Sequence, residues 1–246
     1  MKTVIIIPAR FQSSRFQGKP LAKILGKEMI LRVLEICEQV LDKKYIFVAT
    51  DSKKISNFVG YHGYNSLITS KKCLTGSDRV AEASRYIQSD IYINVQGDEP
   101  LIKKEDIKKI ITYKKKFKKH VICGFAFLNK KENPNNRSIP KVVLNNKQEL
   151  VYISRLPIPG SKNYNQKKIN FLKQVCVYAF TKKQLFLFSK PKKKTEYENI
   201  EDIEILRFFD LDTKIKMVRL SQETAAVDYK SDIKKVELLL KKTKSK

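Results

Sequence analysis

A chain of 246 residues suffices for one sizeable α/β domain with a small appended lobe, and no apolar stretch in it approaches the roughly 18 residues of a membrane span. A net charge of +26 would ordinarily point to nucleic acid, but only 9 of the 51 basic residues are Arg and the Lys are strewn along the whole chain. Lysine is a hydrated, undirected charge without the fork by which Arg reads phosphates or base edges, so the excess reads as solvated surface and no specific nucleic-acid partner is expected.

Strand-like and helix-like segments alternate over the first half. Val4–Ile7, in TVIIIP, reads as a buried strand stopping at Pro8, and a polar loop with Arg10, Arg15 and Lys19 leads to a helix over Met29–Leu41. YIFVAT is a second strand ending at Asp51, and the loop LTGSD precedes a helix over Val80–Ile87 that Ser77 or Asp78 is placed to cap. Ile91–Val95 is a third apolar strand running into QGDEP, followed by an exposed, lysine-rich helix over Glu105–Phe117. Apolar strands separated by helices imply an α/β fold with a mainly parallel sheet covered on both faces. The second half is less regular. Strands are expected over Val121–Leu128, Lys141–Leu144, Glu149–Ile153 and Gln174–Phe180, then helices over Lys182–Phe188 and Asn199–Asp210. A strand over Lys216–Leu220 and a helix over Lys230–Lys241 close the chain. The reading is one domain, 1–246, with a β-rich insertion at about 121–180. No signal-peptide pattern precedes the first strand, so a cytoplasmic location is expected. Cys37, Cys73, Cys123 and Cys176, with no CxxC among them, read as reduced thiols.

In an open parallel sheet, ligands bind at the carboxyl ends of the strands, which should gather three polar loops: PARFQSSRFQGKP, the segment with TGSDR, and QGDEP. Glycine is scarce, and Gly18, Gly76 and Gly97 fall in these loops, where positive φ or close approach to a ligand would require them. The first loop has neither GxxxxGK(S/T) nor GxGxxG spacing. It nevertheless gathers Arg10, Arg15 and Lys19, cations suited to a triphosphate and to the charge of a departing pyrophosphate. Asp98, at the end of a buried strand, needs a partner, and Mg²⁺ favours one or two carboxylates together with phosphate oxygens. Asp228, in VDYKSD, suits either a second carboxylate for that ion or an ordinary helix start. His62 and His120 lie outside these loops, which argues against a serine–histidine triad or a histidine-rich metal site. What remains points to direct phosphoryl or nucleotidyl transfer without a covalent nucleophile.

IPARFQSSRFQGKPL, TGSDR, NVQGDEPLI, YISRLPIP and VDYKSDI, in this order, closely resemble the 3-deoxy-manno-octulosonate cytidylyltransferase (CMP-Kdo synthetase) family. The resemblance implies a nucleotide-diphosphosugar-transferase fold, Rossmann-like and three-layered, working as a homodimer through the β-rich insertion. It implies transfer from CTP to 3-deoxy-D-manno-octulosonate (Kdo), with Mg²⁺ and release of pyrophosphate, in lipopolysaccharide biosynthesis. Carried over by motif, Arg15, Lys19 and Asp98 would be catalytic, and Asp98 and Asp228 would hold the metal. Arg10, Arg15 and Lys19 would bind the triphosphate, while Pro8, Ala9, Thr75, Gly76, Ser77, Arg79 and Gln96 complete the nucleotide side. Arg155, Gln174, Tyr178, Glu198 and Glu201 would receive the sugar acid.

The sugar side departs from the family pattern. Where the family carries HLGxYxY this chain has QVCVYAF, so Gln174 stands for a histidine. The helix LExxExLEQLR appears as YENIEDIEILRFF, which keeps Glu198, Glu201, Glu204 and Arg207 but places Ile205 where glutamine is common. Gln17 replaces the proline of PGKP. The expected function is therefore CTP-dependent activation of Kdo; the alternative is a different 2-keto-3-deoxy sugar acid, a modified Kdo or a nonulosonic acid. A basic nucleic-acid-binding protein, the distant alternative, would need Arg clusters or interleaved aromatics that this sequence lacks.

Overall fold

From the N-terminus come β1 (Thr3–Ala9), a small hairpin of β2 (Lys23–Ile24) and β3 (Lys27–Glu28), α1 (Met29–Glu38) and β4 (Ile46–Thr50). Next are α2 (Lys53–Tyr61), β5 (Asn65–Ile68), α3 (Gly76–Ala83), β6 (Ile91–Val95), α4 (Lys104–Lys116) and β7 (Val121–Phe127). The rest of the chain forms β8 (Lys141–Leu144), β9 (Leu150–Ser154), β10 (Leu172–Phe180), α5 (Lys182–Phe188), α6 (Glu196–Glu201), α7 (Leu206–Asp210), β11 (Ile215–Arg219) and α8 (Asp232–Lys244). The structure is a computed structural model and describes residues 1–12, 15–130, 132–162, 169–221 and 226–244.

The main sheet has the order β11-β7-β10-β6-β1-β4-β5. β10 runs antiparallel to both neighbours, and the other pairs along this path are parallel. The reason lies in β1. Ile5 and Ile7 enter a core shared with α1, α2 and α4, while Val4 and Ile6 enter the opposite core, shared with α3, α5 and α7. A strand apolar on both faces is stable only inside a sheet, where each fully buried Ile contributes roughly 1.5–3 kcal/mol. The result is a three-layer α/β fold with a mostly parallel sheet. The chain passes from β1 to β4 and β5 on one side, then returns to place β6 on the other side of β1. That reversal leaves a crevice at the carboxyl ends of β1 and β6.

Several expectations shift. β1 continues through Pro8 to Ala9, and α2 and β5, neither expected, extend the sheet beyond β4. The helix over Val80–Ile87 begins earlier, at Gly76, and ends at Ala83; Thr75 caps it, with Asp78 answering as the other half of a capping box. The helix over Asn199–Asp210 is two helices, because Asp202 takes φ +51 between α6 and α7. α4 is amphipathic rather than exposed: Ile107, Ile110 and Lys114 are buried, and the Lys114 ammonium is held by the carbonyls of Lys118 and His120 and by Gln184 Oε1. Within 121–180, β7 and β10 belong to the main sheet, and β8 and β9 leave its path as a ribbon attached to β10.

Candidate active site

The crevice opens into a cavity of about 310 Å³. One wall is the cationic loop, of which Ser13 and Ser14 lie outside the described residues. Gly18 adopts φ +69, a conformation glycine takes without strain, and its N–H donates to the Phe11 carbonyl at 2.8 Å. This closes the loop and starts a short 3-10 turn at Lys19. Lys19 Nζ donates to Asp98 Oδ2 at 2.5 Å and to the Val227 carbonyl at 2.9 Å. The Val227 N–H returns to the Asp98 carbonyl at 3.0 Å, so the segment before α8 is zipped to the end of β6. Arg15 meets Asp228 at 3.5 Å and stands 5.6 Å from the Tyr229 ring centroid. Arg10, Arg15, Lys19, Asp98 and Asp228 all line the cavity.

Each of these two loop cations is therefore held by one of the carboxylates expected to take Mg²⁺. Two carboxylates on one cavity fit that ion, which completes its octahedron with water and phosphate oxygens. Among the described residues no three His, Cys, Asp or Glu side chains form a group that could hold a metal ion by themselves. Glu99, not anticipated from the sequence, lines the cavity beside Asp98. Burial, then the Asp98 charge, push its carboxyl up to about 8, and its Oε2 has no hydrogen-bond partner.

The cavity floor is formed by the end of β6 and the first turn of α3. A Cβ on Gly76 would lie 3.1 Å from the Gln96 amide atoms and 3.2 Å from Pro8 Cγ, so glycine lets α3 pack directly under them. Pro8, Ala9, Thr75, Gly76 and Gln96 are thus brought together on one cavity. Ser77 is not at the surface of the cavity. It lies buried beneath, its N–H donating to Glu204 Oε2 at 2.9 Å and its hydroxyl accepting from Asn94 at 3.2 Å. Arg79 borders the cavity, but its guanidinium donates to Thr69 Oγ1 at 2.5 Å and Asp51 Oδ2 at 3.1 Å, tying α3 to the end of β4.

The opposite end is built from β9, β10 and the break between α6 and α7. Gln174, Cys176 and Tyr178 alternate along β10 toward the cavity, and Gln174 Nε2 donates to the Tyr178 hydroxyl at 3.0 Å. Arg155 follows β9. Its Nε donates to the Glu201 carbonyl at 2.5 Å, one terminal nitrogen to Arg137 O at 2.9 Å and the other to Asp202 O at 2.7 Å. A guanidinium has five N–H donors, so this fork is fixed in place with donors left for a ligand.

Glu198 and Glu201 do not line the cavity. Glu198 is fully buried and accepts from Arg207 Nε at 2.7 Å and from its terminal nitrogen at 2.6 Å, while Arg207 also reaches Asp78 at 2.5 Å. Glu201 accepts the Arg155 backbone N–H at 2.8 Å. Of the three glutamates, the one that faces the cavity is Glu204, accepting from Gln96 Nε2 at 3.0 Å, and Asp202 at the break lines the cavity with it. Burial raises its carboxyl above the ordinary range against the hydrogen bond from Ser77. The break at Asp202 redistributes three glutamates that an unbroken helix would stack on one face. The signal for Glu204 was present in the EI of IEILR, read against the family's EQ. Ile205, by contrast, is fully buried in the apolar core and turns away from the cavity.

A cation-bearing loop, two facing carboxylates and a glycine-floored pocket at the reversal of a mostly parallel sheet are the parts of a nucleotidyltransferase. The sequence profile described as cytidylyltransferase matches residues 4–217, and the chain belongs to that family. It is 33% identical over 239 residues to the 3-deoxy-manno-octulosonate cytidylyltransferase of Escherichia coli, an alignment covering 97% of this chain and 96% of that one. It is 35% identical to the 8-amino-3,8-dideoxy-manno-octulosonate cytidylyltransferase of Shewanella frigidimarina, over 98% and 99% of the two chains. A solved structure of CMP:2-keto-3-deoxy-manno-octonic acid synthetase complexed with CTP superposes with a TM-score of 0.89 at 33% identity, covering 99% of this chain and all of that one.

Proposed function

We propose that this chain transfers the cytidylyl group of CTP to Kdo. The observation that carries the reading is the pairing of Lys19 with Asp98 and Arg15 with Asp228 in one cavity whose far end presents Arg155. Relatives named for this activity, similar along nearly the whole chain, support it. The anomeric hydroxyl oxygen of the sugar acid attacks the α-phosphorus of CTP and gives up its proton to solvent, the bond to the bridging oxygen of the β-phosphate breaks, and pyrophosphate leaves. Lys19 and Arg15 exchange their carboxylate partners for phosphate oxygens and offset the charge that grows on the leaving group. Arg10 extends this cationic rim, while Pro8, Ala9, Thr75 and Gly76 border the nucleoside. Asp98 and Asp228 would then hold Mg²⁺, which supplies charge neutralisation and acidifies the attacking hydroxyl. Arg155 receives the sugar carboxylate, and Gln174, Tyr178 and Glu204 address its hydroxyls.

The whole chain works as one unit in the cytoplasm, serving lipopolysaccharide biosynthesis; among the described residues no helix is long and apolar enough to cross a membrane. A homodimer formed through the β-rich segment is supported by an apolar patch. There Tyr152 of β9 meets Tyr197 and Phe209, both exposed, with ring centroids 5.7–6.1 Å apart. Pyrophosphate release from CTP and Mg²⁺, assayed with Kdo, 8-amino-Kdo and a nonulosonic acid, tests the reading. Turnover with Kdo is expected. Turnover only with another acid would replace the sugar, and none with any of them would overturn the activity.

A further inference from the structure

We propose that Lys141 is a positioning residue for the sugar-acid end of the cavity: its buried ammonium locks the backbone that carries Arg155 and lends positive charge to the site of the substrate carboxylate. The inference rests on the reading that Arg155 receives the sugar acid.

Lys141 opens β8 and is fully buried. The ladder sets it opposite Ser154 on β9, the residue before Arg155, and opposite Lys173 on β10, the residue before Gln174. Its Nζ donates to the Arg155 carbonyl at 2.5 Å and to the Asn136 carbonyl at 3.1 Å. The next carbonyl along, that of Arg137, receives the Arg155 guanidinium at 2.9 Å, and the Pro140 carbonyl receives the Gln174 N–H at 2.9 Å. One ammonium thus joins the loop 136–140, whose Ser138 and Pro140 line the cavity, to the strand ends that present Arg155 and Gln174.

The placement is unfavourable for stability alone. Two lysines directly opposite on a ladder repel, and a buried ammonium loses its hydration. Lys173 is compensated by Glu132, which accepts from it at 2.7 and 2.9 Å. Among the described residues Lys141 has no ion-pair partner: Glu201, which acts on it across the site, has given its carboxylate to the Arg155 N–H. Burial, then the Arg155 charge, push the Lys141 ammonium down to about 8. An unpaired cation beneath Arg155 is well placed to attract the carboxylate of an acidic ligand, which would in turn stabilise it.

The test is steady-state kinetics with CTP, Mg²⁺ and Kdo on Lys141→Met and Lys141→Arg. Lys141→Met should raise KM for Kdo about tenfold or more, the scale of one hydrogen bond to a charged group, with KM for CTP unchanged, and Lys141→Arg should restore most of the loss. Unchanged KM values, or a parallel rise in both, would overturn the proposal. Should Lys141→Met not fold, the wild-type enzyme decides. The charged groups facing Lys141 are Arg155, Glu201 and Lys173. KM for Kdo, followed from about pH 7 to 9.5, should climb above the ordinary cytidylyl-transfer baseline set by KM for CTP as the ammonium is lost. Profiles that are flat or that move together would overturn it. Wild-type turnover with no sugar acid would overturn the functional reading as well, whereas turnover with an acid other than Kdo shifts the same comparison to that acid.

Discussion

At one end of the cavity, Arg15 and Lys19 come from a single loop and are held at 3.5 and 2.5 Å by carboxylates. At the other, Arg155, Gln174 and Glu204 come from three different elements and are held by backbone carbonyls, a tyrosine hydroxyl and amide N–H groups. The first end is a set of ion pairs, which under the proposed reaction phosphates and a metal would exchange for one partner each. The second end is locked mainly by directed bonds to neutral groups, with Asp202 adding one longer ion pair to Arg155 at 3.7 Å. Substitutions at the first should therefore act on the chemical step, and substitutions at the second on the affinity for the sugar acid.

The sharpest break of that contrast is Asp98→Asn. It removes the Lys19 partner and the proposed metal carboxylate while keeping shape and the Val227 backbone contact. A fall in kcat of at least about 10³-fold is expected, with thermal stability nearly unchanged. Near-normal turnover would mean that the cation-rich end is not where the chemistry is done. Next in size is Arg207→Met, because Arg207 is fully buried and joins Asp78, at the start of α3, to Glu198 on α6. Removing one partner of a buried pair leaves the carboxylates uncompensated and should cost about 3–5 kcal/mol. The melting midpoint would then fall by roughly 6–20 °C. A midpoint within a degree or two of wild type would show that the two ends are not tied through this network.

Arg155→Lys sharpens the contrast from the other side. Lysine keeps the charge but cannot reproduce three directed contacts to carbonyls and still offer a fork to a carboxylate. KM for the sugar acid should rise about 10- to 100-fold while KM for CTP stays put. Equal effects on both constants would merge the two ends into one site.

The same asymmetry decided what could be read in advance. TVIIIP and IYINV are legible because a parallel strand buried on both faces must be apolar at nearly every position, Asn94 of IYINV being bonded to Ser77, and the loops behind them follow from sheet geometry. β5 escaped because it is an edge strand, NSLI, with no fully buried residue to mark it. Glu198 and Glu201 are assigned to the sugar, and Glu204 given no role, for a different reason. Their spacing is that of one helix face, and nothing in ENIEDIEI announces that Asp202 will adopt φ +51. Only that break sends Glu198 to Arg207, Glu201 to the Arg155 backbone and Glu204 to the cavity. Motif-borne residues on one loop survive such local uncertainty; a site assembled from several elements does not.

Gln174→His is the smallest change and bears on which acid the locked end selects. Gln174 is buried, and its Nε2 donates to the Tyr178 hydroxyl at 3.0 Å and faces Cys123 Sγ at 3.8 Å. A histidine there can still donate one N–H to Tyr178, but its ring is shorter in reach and would be charged only in acid. Because Lys173 adjoins it in sequence and the side chain meets a tyrosine hydroxyl and a thiol, the imidazole should stay neutral near pH 7 and disturb the cavity little. KM for Kdo should move by no more than about threefold, the scale of one neutral hydrogen bond gained or lost, and KM for CTP not at all. A tenfold gain in kcat/KM with Kdo would say the opposite: that glutamine at this position is tuned to a different acid, which the same variant should then use less well than the wild type.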